Sequence, residues 1–350
     1  MTAIDPFTIE EFRRLTQEVL THQGRRGILA GLVGELVDIL EVAANFQMDV
    51  RSDVTEGETS ANDGLAISPT QAAMCAGEFQ RTAVFLRGLH DAIASVAETL
   101  SPEPVRILYA GSGPYAALAA PLMTIFPPHV ARFTILDIHP ESIKHVESVV
   151  HQLGLCDSVD AFEVADACSY TIPKESIPHI ILSETMSTAL EKEPQVAIMR
   201  HLLSQVPDAI IVPESVRVCA NLVDTSAEID IIIPESEDPS GKSQPDRIPL
   251  GPVFELNAAN IRSWRSLSGD QLPAGAINIP YTPNPSYRPY FFTAITTFGS
   301  HLLQTHDCSL TGIREIPVSE NLSVGQSLKF YYHLGASPGL VSETTQPKAE

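Results

Sequence analysis

The sequence predicts an α/β protein with a doubly wound, mostly parallel sheet, and three observations lead to this fold class. Between 105 and about 223, apolar stretches of strand length alternate with stretches of helical pattern. One apolar stretch, Arg106-Ile-Leu-Tyr-Ala110, runs into a Gly111-Ser-Gly113 turn and then an Ala-rich segment. Another, Phe133-Thr-Ile-Leu-Asp137, ends on a carboxylate. Such alternation is typical of parallel strands joined by helices that cover both faces of the sheet.

The elements of this Rossmann-like part follow from the apolar pattern. The expected strands lie at 105–110, 133–138, 159–164, 178–183 and 209–213. The expected helices lie at 114–125, 140–153 and 193–205. Because the carboxyl ends of parallel strands meet at one edge, a ligand is expected at that edge.

The segment before the sheet is predicted to be helical. Residues 7–50 carry apolar side chains at helical spacing, and 53–63 is polar and predicts a mobile loop. Ser68 is placed to cap a helix with a proline in its first turn, and the helical pattern continues to Leu100, with room for a break. We therefore expect an N-terminal helical lid over residues 1–100.

The residue composition and the apolar pattern change after Asp224. The segment 234–245 is rich in Pro, Ser and acids and predicts a linker. Short β-rich runs follow at 252–256, 290–298, 313–318 and 327–333. These patterns predict a Rossmann-like domain at 101–224, a C-terminal antiparallel β part at 225–340 and a disordered tail at 341–350.

Composition narrows the classes of protein. Of the 350 residues, 44% are apolar and 19% are charged, which is ordinary for a folded chain with a large core. The formal net charge of −21 disfavours a nucleic-acid partner, which needs a basic face. An apolar run of about 18 residues, as a membrane span needs, does not occur.

The termini and cysteines indicate a cytoplasmic protein. Met1-Thr-Ala-Ile-Asp-Pro6 lacks the basic and apolar regions of a secretion signal. The five cysteines are scattered without a C-x-x-C pair, which argues against a disulfide framework and against a zinc site. We expect no bound metal, no membrane partner and a small-molecule substrate; a homodimer is allowed.

The strand ends suggest a nucleoside site. Gly111 and Gly113 let the backbone approach a ligand, and the following segment offers free N–H groups. Asp137 stands where a ribose diol would be held, with His139 as a wall of the pocket. Asp166, after the third strand, is suited to an adenine amino group, and Glu184 follows the fourth strand.

Three stretches resemble class I S-adenosylmethionine-dependent methyltransferases, most closely the protein arginine methyltransferases. The first, Met74-Cys-Ala-Gly-Glu78-Phe-Gln-Arg81-Thr82, looks like the helix whose arginine holds the cofactor carboxylate. The second, from Ser183 to Glu193, looks like the double-glutamate loop, with Glu184 and Glu193 nine positions apart (193 − 184 = 9). The third, Ile211-Val-Pro213-Glu-Ser-Val-Arg-Val, resembles the strand that leads into the family's C-terminal β part.

The resemblance implies S-adenosylmethionine as the cofactor and a set of site residues. The cofactor-binding residues that it implies are Arg81, Tyr109, Gly111, Ser112, Gly113, Asp137, Ile138, Asp166, Ala167, Ser183 and Glu184. The catalytic candidates are Glu184, Glu193, Tyr115, Tyr170 and His306. Paired carboxylates can hold an ammonium or a guanidinium, and without a cation one of them should have a raised pKa.

Several positions depart from the family pattern. Tyr109 stands where the family has an acid, and Ala116 stands where a G-x-G-x-x-G fingerprint has its third glycine. The aromatic motif before the arginine helix is absent. Thr305-His306-Asp307 falls near the family's Thr-His-Trp loop but lacks its tryptophan. A protein arginine substrate is therefore poorly supported.

Four functional hypotheses remain. The first is methyl transfer to a small amine or amino-acid-like metabolite, as in secondary metabolism. The second keeps the cofactor but forms azetidine-2-carboxylate and methylthioadenosine from it, or transfers its aminocarboxypropyl group. A non-catalytic regulatory subunit and a nicotinamide dehydrogenase are third and fourth, opposed by the intact Arg81 segment and by Ala116.

Overall fold

The computed structural model describes residues 6–46, 53–224, 228, 247–280, 287–318 and 325–345. The helices are α1 (Pro6–Thr21), α2 (Arg26–Ala44), α3 (Pro69–Ala76), α4 (Phe79–Leu100), α5 (Ala120–Met123), α6 (Pro140–Gln152), α7 (Gln195–Gln205) and α8 (Ala258–Ser263). Residues 47–52, the expected linker at 234–245 and the terminal 346–350 lie outside the described residues.

The strands fall into a central group and a C-terminal group. The N-terminal and central strands are β1 (Thr59–Ala61), β2 (Gly64–Ala66), β3 (Val105–Ala110), β4 (Ala131–Asp137), β5 (Val159–Val164), β6 (Ile180–Ser183) and β7 (Ile210–Val212). The C-terminal strands are β8 (Ser215–Asp224), β9 (Arg247–Asn257), β10 (Gln271–Asn278), β11 (Tyr287–Phe298), β12 (His301–Leu303), β13 (Ile313–Glu315), β14 (Ser327–His333) and β15 (Gly339–Thr345).

The predicted parallel sheet is confirmed. Five strands pair in the order β5-β4-β3-β6-β7, and every pairing is parallel. The chain therefore moves outward from β3 in one direction and then, from β6, in the other. With right-handed crossovers this reversal places α7 on the face opposite α6. The crevice at the reversal, next to the carboxyl ends of β3 and β6, is the expected ligand position.

The N-terminal helices form because each has one apolar face to bury. Helix α2 buries a run of aliphatic residues at helical spacing, including Val33, Leu36 and Leu40, and packs on α1, α4 and α6. Helix α3 begins with the predicted cap: the Ser68 hydroxyl accepts from the Gln71 N–H, and Gln71 reaches back to the Ser68 N–H. The expected break lies between α3 and α4. None of the described helices has the length and apolarity that a bilayer span requires.

Two N-terminal expectations need correction. The segment 53–63, predicted as a mobile loop, ends in the hairpin formed by β1 and β2. The helix predicted at 114–125 is reduced to α5, and residues 114–119 form turns instead. Ala116 takes a positive φ of 45°, which interrupts the right-handed helical path.

The C-terminal part is antiparallel, as predicted, but its limits differ. It begins at β8 rather than at 225, since β8 pairs antiparallel with both β9 and β11. Strands β10, β14 and β15 form a second sheet. Residues 341–345, predicted to be disordered, belong to β15 and pair with β14. The Phe254 ring stacks on the rings of Trp264 and Tyr332 within this part, with distances between ring centroids of 5.4 Å and 4.9 Å.

Candidate functional site

A pocket of about 1050 Å³, including its open mouth, lies at the carboxyl ends of the central strands. Its floor is the turn after β3, and its walls come from residues that follow β4, β5 and β6. The β1–β2 hairpin and α3 cover it from above. The charged and histidine side chains that line it are Arg81, Asp137, His139, Asp166, Glu184 and Glu193. Among the described residues that line the pocket, Arg81 is the one arginine or lysine, whereas four are acids.

Glycine is required in the turn after β3. Gly111 and Gly113 have φ of 80° and 60°, which favour glycine. A Cβ on Gly111 would overlap the Thr185 methyl group, and one on Gly113 would lie 3.1 Å from the Ala72 Cβ. The turn is therefore pressed between the loop after β6 and helix α3. Ala116 holds its left-handed conformation at a cost of about 1 kcal/mol.

Asp137 is held by the backbone. Its Oδ2 accepts from the Gly113 N–H at 2.9 Å, and its Oδ1 accepts from the His139 N–H at 2.9 Å. The His139 Nε2 lies 3.1 Å from the Thr59 hydroxyl of the covering hairpin. Each carboxylate oxygen keeps a second lone pair, so Asp137 can still accept from a ligand hydroxyl.

Asp166 closes the far end of the pocket. Its Oδ1 accepts from the Cys168 N–H at 2.8 Å, which shapes the loop after β5. Ala167 is buried beside it, and Ile138 also lines the pocket.

Arg81 enters from the first turn of α4 and is buried. Its Nη2 donates to the Glu184 Oε2 at 2.5 Å, and its Nη1 donates to the Glu78 Oε1 at 3.3 Å. Glu78 in turn accepts from the Ser309 N–H at 2.8 Å and from the Ser309 hydroxyl at 2.6 Å. Burial disfavours the charged form of Arg81, yet the contact with Glu184 holds the pKa of Arg81 above its ordinary value.

Glu184 is only half satisfied. Its Oε1 is buried and has no hydrogen-bond partner among the described residues. Burial raises the pKa of Glu184, and the Arg81 guanidinium opposes that shift. An uncompensated buried carboxylate oxygen is costly, which makes Glu184 a candidate functional residue.

Glu193 lies at the other end of the loop from Glu184 to Glu193, which we name the acid loop. Burial, reinforced by the negative charge of Glu184, raises its pKa to about 8. The acid loop is strained, with positive φ at Ala189, Leu190 and Lys192. A carboxyl group with a pKa near neutrality can exchange a proton during a reaction.

The C-terminal part braces the acid loop from outside. The Tyr332 hydroxyl donates to the Leu190 carbonyl at 2.8 Å, and the Thr293 hydroxyl accepts from the Ala189 N–H at 3.0 Å. The Lys192 N–H donates to the Pro338 carbonyl at 2.9 Å, while the Lys192 carbonyl accepts from the Leu65 N–H at 2.8 Å. These contacts explain how a loop of strained residues keeps one conformation.

Gln195 was missed by sequence reasoning. It is fully buried, and its Oε1 accepts from both the N–H and the hydroxyl of Thr185 at 2.9 Å. Its Nε2 donates to the Ser183 carbonyl at 3.0 Å. One side chain therefore fixes the residues on both sides of Glu184. A glutamine at the start of a helix gives no local signal of this role.

Three of the residues that line the pocket carry hydroxyl groups. Tyr109 is buried, and burial together with nearby Glu184 raises its pKa. The Tyr115 hydroxyl and the Ser142 Oγ are buried with no hydrogen-bond partner among the described residues. Ser142, in the first turn of α6, was also missed, because an isolated serine there reads as a helix-start residue.

Three of the predicted site residues lie outside the described lining. Ser183 sits beneath it, with its hydroxyl 3.1 Å from that of Thr185. The Tyr170 carbonyl accepts from the His201 ring and from the Gln205 amide. The His306 Nε2 lies 3.1 Å from the Glu228 Oε2, and Glu228 also binds Arg247. No group of three or more His, Cys, Asp or Glu suited to a metal occurs among the described residues.

The chain has similar solved structures but no match among family models or curated sequences. No protein-family model matches the chain, and no curated protein matches it in sequence. Among solved structures, it is similar to protein arginine methyltransferase 10 of Arabidopsis thaliana, with 12% identity and a TM-score of 0.46. The match covers 73% of this chain and 84% of that chain. A likeness of this size does not bear on function, which depends on the pocket itself.

Proposed function

We propose that the protein is an S-adenosylmethionine-dependent transferase that methylates a small amine or amino-acid-like molecule. One observation carries the proposal: a single pocket gathers the Gly111 turn, Asp137, Asp166, Arg81 and Glu184 from five separate segments. The Gly111 turn, Asp137 and Asp166 are suited to bind a nucleoside. Arg81 and Glu184 are suited to bind a charged side chain of the same ligand.

The residues fit the cofactor. Gly111 and Gly113 leave a cradle that a Cβ would fill, and Asp137 keeps lone pairs for ribose hydroxyls. Asp166 and Ile138 line the pocket and are suited to adenine, and Arg81 is suited to a carboxylate. The acidic lining favours a ligand with a cationic centre.

When bound, S-adenosylmethionine supplies a sulfonium-activated carbon that accepts the nucleophile's electron pair while the S–C pair returns to sulfur. The protein has three tasks. The hairpin excludes water, Glu184 orients an amine, and Glu193 takes the amine proton at its carboxylate. A nearby cation favours the deprotonated Glu193 that this step needs.

The second candidate is cyclisation of the cofactor to azetidine-2-carboxylate and methylthioadenosine, in which its own amine is the nucleophile. Aminocarboxypropyl transfer belongs to the same class, since it breaks the same bond. The hairpin favours these reactions, because Leu65 bonds directly to the acid loop beside Glu193 and covers it. That cover and the Arg81–Glu184 pair leave protein arginine methylation the least favoured.

The test is to incubate the pure protein with S-adenosylmethionine, with and without candidate amines, and to identify the nucleoside formed. S-adenosylhomocysteine that appears only with an acceptor supports methyl transfer. Methylthioadenosine formed without an acceptor would replace it with cyclisation. Absence of cofactor binding by calorimetry would reject both readings.

A paired variant makes the test specific to the site. We expect Asp137→Asn to weaken cofactor binding by about 1–2 kcal/mol, because an amide accepts fewer hydrogen bonds than a carboxylate. Glu141→Gln removes the same charge from the exposed first turn of α6, outside the lining, and serves as the control.

A further inference from the structure

We propose that the β1–β2 hairpin, residues 59–66, is a lid over the pocket, and that the acid loop latches it shut as long as Glu193 keeps its proton. Ionisation of Glu193 releases the hairpin while the acid loop stays in place. The lid works in the free protein, so its opening does not depend on which ligand the pocket takes.

The hairpin covers the pocket but has little structure of its own. Its two strands have three residues each. Of residues 59–66, all of which the structure describes, Gly64 alone is buried. Ala61, Leu65 and Ala66 line the pocket. Because a two-stranded hairpin is marginally stable by itself, its position depends on its contacts with neighbouring segments.

Two hydrogen bonds between described residues join the hairpin to the rim of the pocket. The Thr59 hydroxyl lies 3.1 Å from the His139 Nε2, and the Leu65 N–H donates to the Lys192 carbonyl at 2.8 Å. A Cβ on Gly64 would lie 2.8 Å from the same carbonyl oxygen, so the two backbones are in close contact there. That carbonyl belongs to the peptide bond before Glu193. The latch is therefore adjacent to Glu193 in the chain.

Glu193 faces negative charge from both sides of the latch. Burial, together with the carboxylates of Glu184 and Glu58, raises the pKa of Glu193 to about 8. Arg81 and Lys192 have the opposite effect on it. Glu58 directly precedes β1, so ionised Glu193 repels the base of the hairpin. A proton on Glu193 removes this repulsion, and a cation beside the carboxylate offsets it.

The hairpin is the side that moves, because the acid loop is held more firmly. Tyr332, Thr293 and Pro338 each form a hydrogen bond with the acid loop, and all three belong to the C-terminal part. Segments with few buried contacts open at the lowest free energy. Release of the hairpin uncovers the pocket for ligand entry and exposes Glu193 to water.

The direction of the pH effect follows from the two states of Glu193. Its pKa is about 8 under the closed hairpin and returns toward 4.5 when water reaches it. The proton therefore stabilises the closed state at low pH, and this stabilisation is lost as the pH rises from about 5 to about 8. Opening should become more favourable by up to about tenfold per pH unit in that range and level off above it.

The experiment is hydrogen exchange by mass spectrometry on the peptide that covers 59–66, corrected for the intrinsic exchange rate at each pH. Since Glu193 is partly exposed, we expect the protection of the wild-type hairpin to fall by at least about tenfold between pH 6 and pH 9. Glu193→Gln should keep its protection constant over this range. Glu141→Gln, an exposed acid outside the lining, should follow the wild-type protein.

A second variant tests the repulsion without changing the pocket. Glu58→Gln should keep the hairpin about twofold more protected than the wild-type protein at pH 9, because one partner of the repulsion is gone. Glu56→Gln removes an exposed acid from the same segment and should leave protection unchanged.

Three results would overturn the latched lid. The first is an equal fall in hairpin protection for Glu193→Gln and the wild-type protein. The second is a Glu58→Gln protein that exchanges as Glu56→Gln does. The third is hairpin protection as high as that of β3 at every pH, since the hairpin would then open only when the whole protein unfolds.

Discussion

The two ends of the pocket are built in opposite ways. At the β3–β4 end, Asp137 bonds the backbone N–H groups of Gly113 and His139. At the acid-loop end, Glu184 keeps a bare oxygen and Glu193 has a pKa near 8. The difference indicates that the first end is held in place for binding by its own hydrogen bonds. The second end contains carboxyl groups that are not paired within the protein, as is typical of groups that bind a ligand or transfer a proton.

Backbone strain is concentrated in the acid loop, although Ala116, after the Gly111 turn, also has a positive φ. Glycines supply the positive φ values of the turn at Gly111 and Gly113, where they cost little. In the acid loop, Ala189, Leu190 and Lys192 adopt positive φ without that freedom. The strained conformation persists because the hairpin and the C-terminal part grip the loop from two sides. The following changes test this comparison.

The largest effect is expected for Gly111→Ala. Its methyl group would overlap Thr185 and sit on a backbone with φ of 80°, so unfolding free energy should fall by about 2–4 kcal/mol. Gly154→Ala is the matched control, because Gly154 has φ of 66° and open space around it, and it should lose only about 1–2 kcal/mol. Urea unfolding measures both. Equal losses would mean that Thr185 does not press on the turn.

Gln195→Leu comes next. It leaves the Thr185 N–H and the Ser183 carbonyl without partners, so unfolding free energy should fall by about 2–3 kcal/mol. Gln205→Leu, on the same helix, removes bonds to Ile172 and Tyr170 at a more exposed site and should cost about 1 kcal/mol or less. If Gln195→Leu costs no more than this control in urea unfolding, Gln195 does not position the acid loop.

Glu193→Gln tests the unmet charge through pH. In the folded protein Glu193 holds its proton up to about pH 8, whereas in the unfolded chain it releases it near 4.5. Folding stability from this group is therefore present at low pH and is lost as the pH rises from about 5 to about 8. The glutamine cannot ionise, so the variant should nearly match the wild-type protein at pH 5 and exceed its stability at pH 8.5 by at least about 1 kcal/mol, since each unit of pKa shift is worth about 1.4 kcal/mol and Glu193 is partly exposed.

The measurement for Glu193→Gln is the urea midpoint across that pH range. Glu141→Gln makes the same chemical change on the surface and is the reference for the loss of one acid. Parallel pH curves for the wild-type and Glu193→Gln proteins would show that Glu193 ionises normally.

The smallest effect is expected for Thr59→Val. It removes the hydroxyl that bonds the His139 ring and so weakens the hairpin's hold on the β4 end by about 0.5–1 kcal/mol. Nucleoside dissociation, measured by stopped flow, should become a few times faster. Ser60→Ala, an exposed neighbour on the same strand, should leave the rate unchanged. An unchanged dissociation rate in Thr59→Val would show that the bond between the hairpin and His139 does not help to retain the nucleoside.

Local patterns predicted the binding frame well, because its parts are signalled by nearby sequence. The strands at 105–110 and 159–164 match their predicted bounds, and the Gly turn and Asp137 stand at strand ends. The helix at 114–125 was overestimated because alanine content does not reveal the positive φ of Ala116. The hairpin did carry a signal, since Asn62 and Asp63 form a two-residue turn before Gly64.

The acid-loop end was harder to predict because distant contacts build it. Gln195 and Ser142 have roles that arise only when β6 and β4 bring their loops together. The Arg81–Glu184 pair joins residues 103 positions apart, and sequence spacing gives no measure of that contact. The strand at 341–345 depends on its pairing with β14, so a polar end-segment was read as disorder.

The peptide groups of Lys192 have a consequence for how this chain can change over generations. They join the hairpin to the C-terminal part through the backbone alone, while the Lys192 side chain is exposed. A substitution of Lys192 therefore preserves both backbone hydrogen bonds as long as the new residue accepts a φ of 64°, as glycine and asparagine do readily. Gly64 has no such latitude, since a Cβ there would lie 2.8 Å from the Lys192 carbonyl oxygen. Distant relatives of this protein should thus keep a glycine at the position of Gly64, whereas the position of Lys192 can vary among residues that accept a positive φ.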